Sequence, residues 1–200
     1  MGAKRDDAVY RSGDITVRPA TRFEDVKTMV GPKRADANVC WCLSYRIPSK
    51  ENRALVGPAR GERVKELLAE GPIGVLAYEG DEVVGWAAVA PRAETSFAKS
   101  RVIPRVDDAP VWTVWCIRVR PGHRGEGISH HLVRGAIEFA RRSGAPILEA
   151  YPVDNEGERV DLTMAYVGTR ALFEQEGFVK VADTKSVLDG FPRVLMRRQL

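Results

Sequence analysis

The sequence predicts an α/β domain built on a mixed central sheet. Three features point to it. Apolar runs of strand length alternate with stretches of helical periodicity, and a short glycine turn joins two of those runs. One unbroken apolar run, Val111–Val119, passes through a glycine-rich loop directly into an amphipathic helix. With 200 residues and 44% hydrophobic content the chain can bury a sizeable core, so it is read as one domain over 1–200, with residues 1–13 as a flexible N-terminus.

In chain order, Ile15–Pro19 reads as a short strand. Thr21-Arg22-Phe23-Glu24 has the capping-box pattern, which predicts a helix burying Phe23, Val26 and Val30. From Val30 to Gly61, prolines, charges and the Cys40-Trp41-Cys42 triplet leave no sustained period; a loop with a short helix is expected there, forming a substrate-side wall. Gly61–Gly71 sets Val64, Leu67 and Leu68 on one helical face with Gly71 as the stop. Ile73–Tyr78 and Val83–Ala90, joined through Glu79-Gly80-Asp81-Glu82, predict an antiparallel hairpin. Pro91–Pro110 is irregular and long enough to read as a functional or mobile loop.

Val111–Val119 is apolar on both faces, as a strand covered on both sides should be. In the helix after it, Ile128, Leu132, Val133, Ala136, Ile137 and Ala140 form the buried stripe, and Gly144 ends it. Pro146–Val153 is a further strand, parallel to the first through a right-handed crossover, so the glycine loop belongs to a β-α-β unit. Past the polar insertion Asp154–Asp161, Gly168–Glu176 predicts a helix, and Phe178–Ala182 and Arg193–Arg197 short terminal strands.

Composition narrows the function. A net charge of +4, spread along the chain, suits an anionic small ligand, and no clustered basic face or set of base-stacking aromatics points to nucleic acid. No secretory signal and no run of roughly 18 apolar residues is present, so a soluble, cytoplasmic protein without a membrane partner is expected. Three cysteines are too few for a disulfide framework and are read as reduced; Cys116, in an apolar strand, is expected to be inert with a raised pKa. No metal is expected, because the Cys40-x-Cys42 spacing is a poor chelating step and His130 and His131 point to different helix faces.

The loop after Val119 carries the chemistry. A helix start offers unpaired N–H groups and the positive end of the helix dipole; Gly125 and Gly127 let an anion approach them, and Arg124 adds positive charge. The design reads as pyrophosphate capture. A Walker loop would need Gly-Lys-Ser/Thr, and a dinucleotide fingerprint a third glycine where His130 stands. Arg124-Gly-Glu-Gly-Ile128, following Val119-Arg120-Pro121, closely resembles the acyl-coenzyme-A signature of the GNAT N-acetyltransferase superfamily, usually written Q/R-x-x-G-x-G/A. Ala171–Phe178 resembles the closing segment of that family, which ends in Leu-Tyr-x-x-x-Gly-Phe.

The resemblance implies the GNAT acyl-CoA N-acyltransferase fold, a mixed sheet of about six to seven strands flanked by helices and splayed between the fourth and fifth. It implies acetyl-CoA as co-substrate, with pantetheine on the backbone of Ile117, Arg118 and Val119. The pyrophosphate would lie on Arg124, Gly125, Glu126, Gly127, Ile128, Ser129 and His130, and the thioester near Cys116 and Ile117. The acceptor is expected to be a primary amine of a small molecule; a protein lysine or N-terminus, or a non-catalytic acyl-CoA sensor, are the alternatives, and a homodimer is common in the superfamily. Two positions depart from the pattern: Ser129 replaces glycine or alanine, and Phe173 stands where many members carry the tyrosine that protonates the leaving thiolate. Tyr166, two turns earlier if the helix extends that far, becomes the candidate acid. Asp107, Asp108, Glu149 and Asp154 are read as solvated or paired groups, which leaves direct attack by a neutral amine. Trp41 is a candidate for the acceptor pocket.

Overall fold

The computed structural model describes residues 7–34, 37–161 and 165–200. One eight-stranded sheet runs in the order β1-β2-β3-β4-β5-β6-β8-β7. The strands are β1 Tyr10–Ser12, β2 Ile15–Pro19, β3 Val75–Glu79, β4 Glu82–Pro91, β5 Val111–Val119, β6 Ile147–Ala150, β7 Val179–Leu188 and β8 Phe191–Gln199. Every neighbouring pair is antiparallel except β5 with β6. The helices are α1 Phe23–Val30, α2 Ser49–Ala54, α3 Pro58–Glu70, α4 Ile128–Arg142 and α5 Arg170–Gln175.

Two apolar layers sandwich the sheet. On one face the stripe of α4, from Ile128 to Ala140, packs on Val17, Ala77, Ala87 and Ile117. A β-carbon on Gly135 would overlap Val17, so glycine is what lets α4 lie flush on β2. On the other face Val26, Val30 and Val64 from α1 and α3 meet Leu76, Trp86 and Trp115, with Leu43, Ile47, Phe97 and Ile103 from the connecting segments. This two-sided burial is why β5 carries no polar alternation.

The β-α-β unit and the β3–β4 hairpin fall where the periodicity puts them. Other expectations change. Thr21 does not cap α1: Arg22 occupies the cap position and no side chain bonds there, so the capping-box pattern is coincidental; the hydroxyl of Tyr78 instead donates to Asp25 at 2.8 Å. Within the N-terminal segment Tyr10–Ser12 form a strand on β2, held by the Arg142 guanidinium, which donates to the carbonyls of Ala8 and Val9. Three polar-flanked residues are too short to show a period. The terminal strands β7 and β8 are ten and nine residues long, longer than the short strands expected; the exposed edge strand β7 mixes lysines and aspartate with valines, which hides its extent in the sequence. The added strand β1 raises the sheet to eight strands, above the six or seven expected.

Segment 91–110 is pinned. The buried guanidinium of Arg92 donates to the carbonyls of Phe97, Ile103 and Pro104 and to Glu149 at 3.0 Å. The irregular segment, read from sequence as a functional or mobile loop, is organised around this one buried guanidinium.

Candidate active site

β5 and β6 pair only from Val111 opposite Ile147 to Val114 opposite Ala150. Beyond Ala150 the chain departs, with Val153 bridging Thr169 and Arg193. β5 continues through Ile117, Arg118 and Val119 with a strand partner, among the described residues, only on the β4 side, where Val119 lies opposite Gly85 and Ile117 opposite Ala87. The sheet is thus splayed at the place expected, and the edge of β5 that faced β6 becomes the wall of a gap. Backbone groups on such an edge are available to a ligand.

One end of that gap leads to the signature loop. Gly125 and Gly127 have φ of 87° and 77°, left-handed values that glycine adopts without strain. A β-carbon on either would meet no protein atom, so conformation and an open approach, not crowding by the protein, call for glycine. Gly127 occupies the cap position of α4 and no side chain bonds to the helix start. No side-chain cap therefore covers the first-turn amides and the positive dipole end of this fifteen-residue helix, the arrangement that favours an anion. Arg124 is exposed beside it, Ser129 half-buried. The acid within the motif, Glu126, sits 3.5 Å from His123 Nδ1, which also lies 3.2 Å from Glu79.

His130 adds less than its place in the motif suggests. Its amide already donates to the Gly127 carbonyl at 2.9 Å, and its ring Nδ1 lies 2.8 Å from buried Glu176, which also accepts from Arg134 at 2.8 Å. The residue ties α4 to the segment after α5. The amides that remain for an anion run from Gly125 to Ser129.

The other end of the gap opens into a cavity of about 250 Å³. β5 contributes Trp115, Cys116 and Arg118; segment 40–45 contributes Cys40, Cys42, Ser44 and Tyr45; and Tyr166 closes it. A bulge makes this wall. Ala88 lies opposite Cys116 but Val89 lies opposite Val114, so Trp115 is an extra residue and both Trp115 and Cys116 turn to the same layer. The Tyr45 ring stacks on Phe97 at 4.5 Å, and its hydroxyl lies 3.3 Å from that of Tyr166. Arg46 fastens the segment: its guanidinium lies 5.0 Å from the centre of the Trp115 ring and donates to the Ile73 carbonyl at 2.6 Å.

Tyr166 does not share a helix with Phe173. It belongs to a separate 3-10 turn, Ala165–Val167, and Gly168 at φ 77° breaks the chain before α5. Phe173 is fully buried against Phe178 in the α4 layer, while Tyr166 lines the cavity. Burial, then the hydrogen bond with Tyr45, pushes the Tyr166 phenol well up, so it stays protonated at neutral pH. Trp41 is not part of the lining: it is buried and stacked on Phe23 at 5.7 Å, and Trp115 takes the aromatic position in the wall.

The four carboxylates near the strand ends are all held by guanidinium groups. Asp107 pairs with Arg197, Asp108 with Arg105 at 2.9 Å, and Asp154 with Arg170 at 2.9 Å. Glu149 is not a surface group: fully buried, it accepts from Arg92, from Arg197 at 2.8 Å and from the Tyr151 hydroxyl at 2.8 Å. None lines the cavity.

The cysteines depart most from expectation. The sulfurs of Cys42 and Cys116 lie 2.8 Å apart. The Cys42 thiol beside it, helped by the Arg118 guanidinium, holds Cys116 below the ordinary thiol value despite burial, whereas the hydrogen bond with Cys116 and then burial push Cys42 up. Strand composition alone pointed the other way for Cys116, since the partner thiol comes from 74 residues away. The imidazoles stand apart from the thiols: His123 lies among Glu79 and Glu126, whose ligand-type atoms come within 4.8 Å of its own.

The family model that matches this chain is that of the acetyltransferase (GNAT) family, over residues 43–160. Among solved structures, one of the NatC complex bound to Gag peptide and CoA is 13% identical, with 94% of this chain and 99% of that chain covered and a TM-score of 0.53. Ard1 from Thermoplasma volcanium is 14% identical over 94% and 99%, with a TM-score of 0.52. PH1933 from Pyrococcus horikoshii OT3 is 15% identical over 93% and 98%, with a TM-score of 0.50. No curated protein matches.

Proposed function

Since the chain belongs to the acetyltransferase (GNAT) family, we propose that it acts as one domain that transfers an acetyl group from acetyl-CoA to a primary amine of a small molecule, by direct attack within a ternary complex. The observation that carries this reading is the course of β5: it leaves β6 after Val114, with an uncapped helix start at one end of the gap and an aromatic cavity at the other.

The pyrophosphate sits on the amides from Gly125 to Ser129, with Arg124 adding its charge. The pantetheine arm runs along the free edge of Ile117, Arg118 and Val119, which delivers the thioester beside Cys116. The amine enters through the cavity and attacks the carbonyl carbon; the carbon–sulfur bond breaks and the thiolate leaves. Tyr166, kept protonated by its surroundings, donates the proton the thiolate takes up. With no carboxylate among the described residues of the cavity lining, the amine arrives neutral and its surplus proton leaves through water. A cavity of this size, enclosed by Tyr45, Trp115 and Tyr166, suits a small acceptor.

Calorimetry with acetyl-CoA and a thiol-release assay over panels of amines and peptides tests the reading. Binding together with thiol release on small amines supports it. Absence of binding at millimolar acetyl-CoA removes it, release on peptides alone moves the acceptor to protein, and binding without release on any amine leaves a sensor.

A further inference from the structure

We propose that Cys42 and Cys116 form a reversible dithiol–disulfide pair, oxidised through the cavity by low-molecular-weight disulfides. Geometry carries the assignment. The 2.8 Å between the sulfurs is well inside the roughly 3.5–4.0 Å at which non-bonded heavy atoms rest and longer than the about 2.05 Å of a disulfide, so bond formation needs little movement. Two independent features bring the sulfurs together. The bulge at Trp115 turns Cys116 towards this layer. Opposite it, Trp41 and Cys42 have consecutive left-handed φ angles of 52° and 54°, a conformation that residues with a β-carbon keep only when their surroundings hold them. The stacked, buried Trp41 ring and the hydrogen bond from the Leu43 amide to the Cys40 carbonyl hold it here.

The pair is covered from macromolecules and open to small reagents. Cys42 is 7% and Cys116 4% exposed, yet both line the cavity. Their surroundings differ in the way exchange requires. The neighbouring Cys42 thiol first, then Arg118 and the indole N–H of Trp86, favour negative charge on the Cys116 sulfur. The Cys116 thiolate attacks one sulfur of the external disulfide, forming a mixed disulfide and releasing one thiolate. Cys42 then loses its proton and attacks the Cys116 sulfur; the internal bond forms and the second external thiolate leaves. Two electrons pass to the external disulfide and two protons to solvent. The bond ties segment 40–45 to β5 and removes both thiols from the wall against which, on the reading above, the acceptor docks.

The test equilibrates the full-length native protein with a series of ratios of glutathione to glutathione disulfide, alkylates the remaining thiols and reads intact mass and the peptide map. Three thiols should be alkylated in the reduced protein and one, Cys40, in the oxidised protein, with the Cys42 and Cys116 peptides joined. Cys40→Ser should leave this titration unchanged. Full alkylation of all three at the most oxidising ratio, or a link that includes Cys40, overturns the proposal. In a second arm, oxidation should lower turnover about tenfold or more, reversed by dithiothreitol, with the acetyl-CoA Kd within about twofold. Unchanged turnover in the oxidised form overturns the role at the acceptor wall. Absence of acetyl-CoA binding in both forms would count against the acetyltransferase reading while leaving the mass titration to decide the thiol pair.

Discussion

The signature loop and the aromatic cavity share β5 but are made in different ways. The loop comes from one contiguous piece, Val111–Arg142, whose glycines and helix start act through the backbone. The cavity joins segment 40–45, β5 and Tyr166; its Tyr45–Tyr166 contact spans 121 residues. A site made of main-chain amides depends on a local conformation, and one made of side chains depends on whatever holds distant segments in place. The two halves should therefore fail separately.

The largest effect is expected where the cavity side is fastened. Glu149→Ala removes the carboxylate between Arg92 and Arg197 and leaves buried guanidinium groups without it, which should cost about 3–5 kcal/mol of stability in denaturant melts. A loss under about 1 kcal/mol would mean that segment 91–110 is fastened by other contacts. Next, Gly125→Val with Gly127→Val should weaken acetyl-CoA binding a hundredfold or more, about 3 kcal/mol, with the circular dichroism spectrum retained. Affinity surviving this change would break the backbone half of the comparison.

Tyr166→Phe should lower kcat about a hundredfold and leave the acetyl-CoA Kd unchanged. In the parent enzyme kcat should not fall as pH passes the ordinary phenol value of about 10, because the raised pKa keeps the donor protonated. A normal rate for the phenylalanine variant would move the proton donor elsewhere in the cavity. The smallest effect is at Arg124→Ala: one exposed charge beside the amides should weaken acetyl-CoA binding about tenfold, more at low salt than at high.

Much of this was legible beforehand, and unevenly. Val111–Val119 and Ile128–Arg142 were placed to the residue, because a doubly covered strand and an amphipathic helix print their burial in the order of their residues. Tyr10–Ser12 and the full length of Val179–Leu188 were missed, since edge strands with one wet face carry little apolar pattern. A helix continuous with Phe173 does not carry Tyr166, which lies on its own turn because Gly168 separates the two. Tyr45 had no signal at all, and the odd Cys40-Trp41-Cys42 triplet signalled something without saying that its partner was Cys116.

The sequence by itself determined the sheet-and-helix order and the glycine loop, because each follows from periodicity or from backbone freedom within a few adjacent residues; the splay beside β5 was implied only by the family resemblance. Only the tertiary structure decided which thiols meet, that Glu149 is buried between two arginines, that the His130 amide is already used, and which tyrosine faces the gap. Those depend on the bulge at Trp115 and on the packing of segments far apart in the chain, and a side chain's pKa and reach are set by neighbours that its own stretch of sequence does not contain.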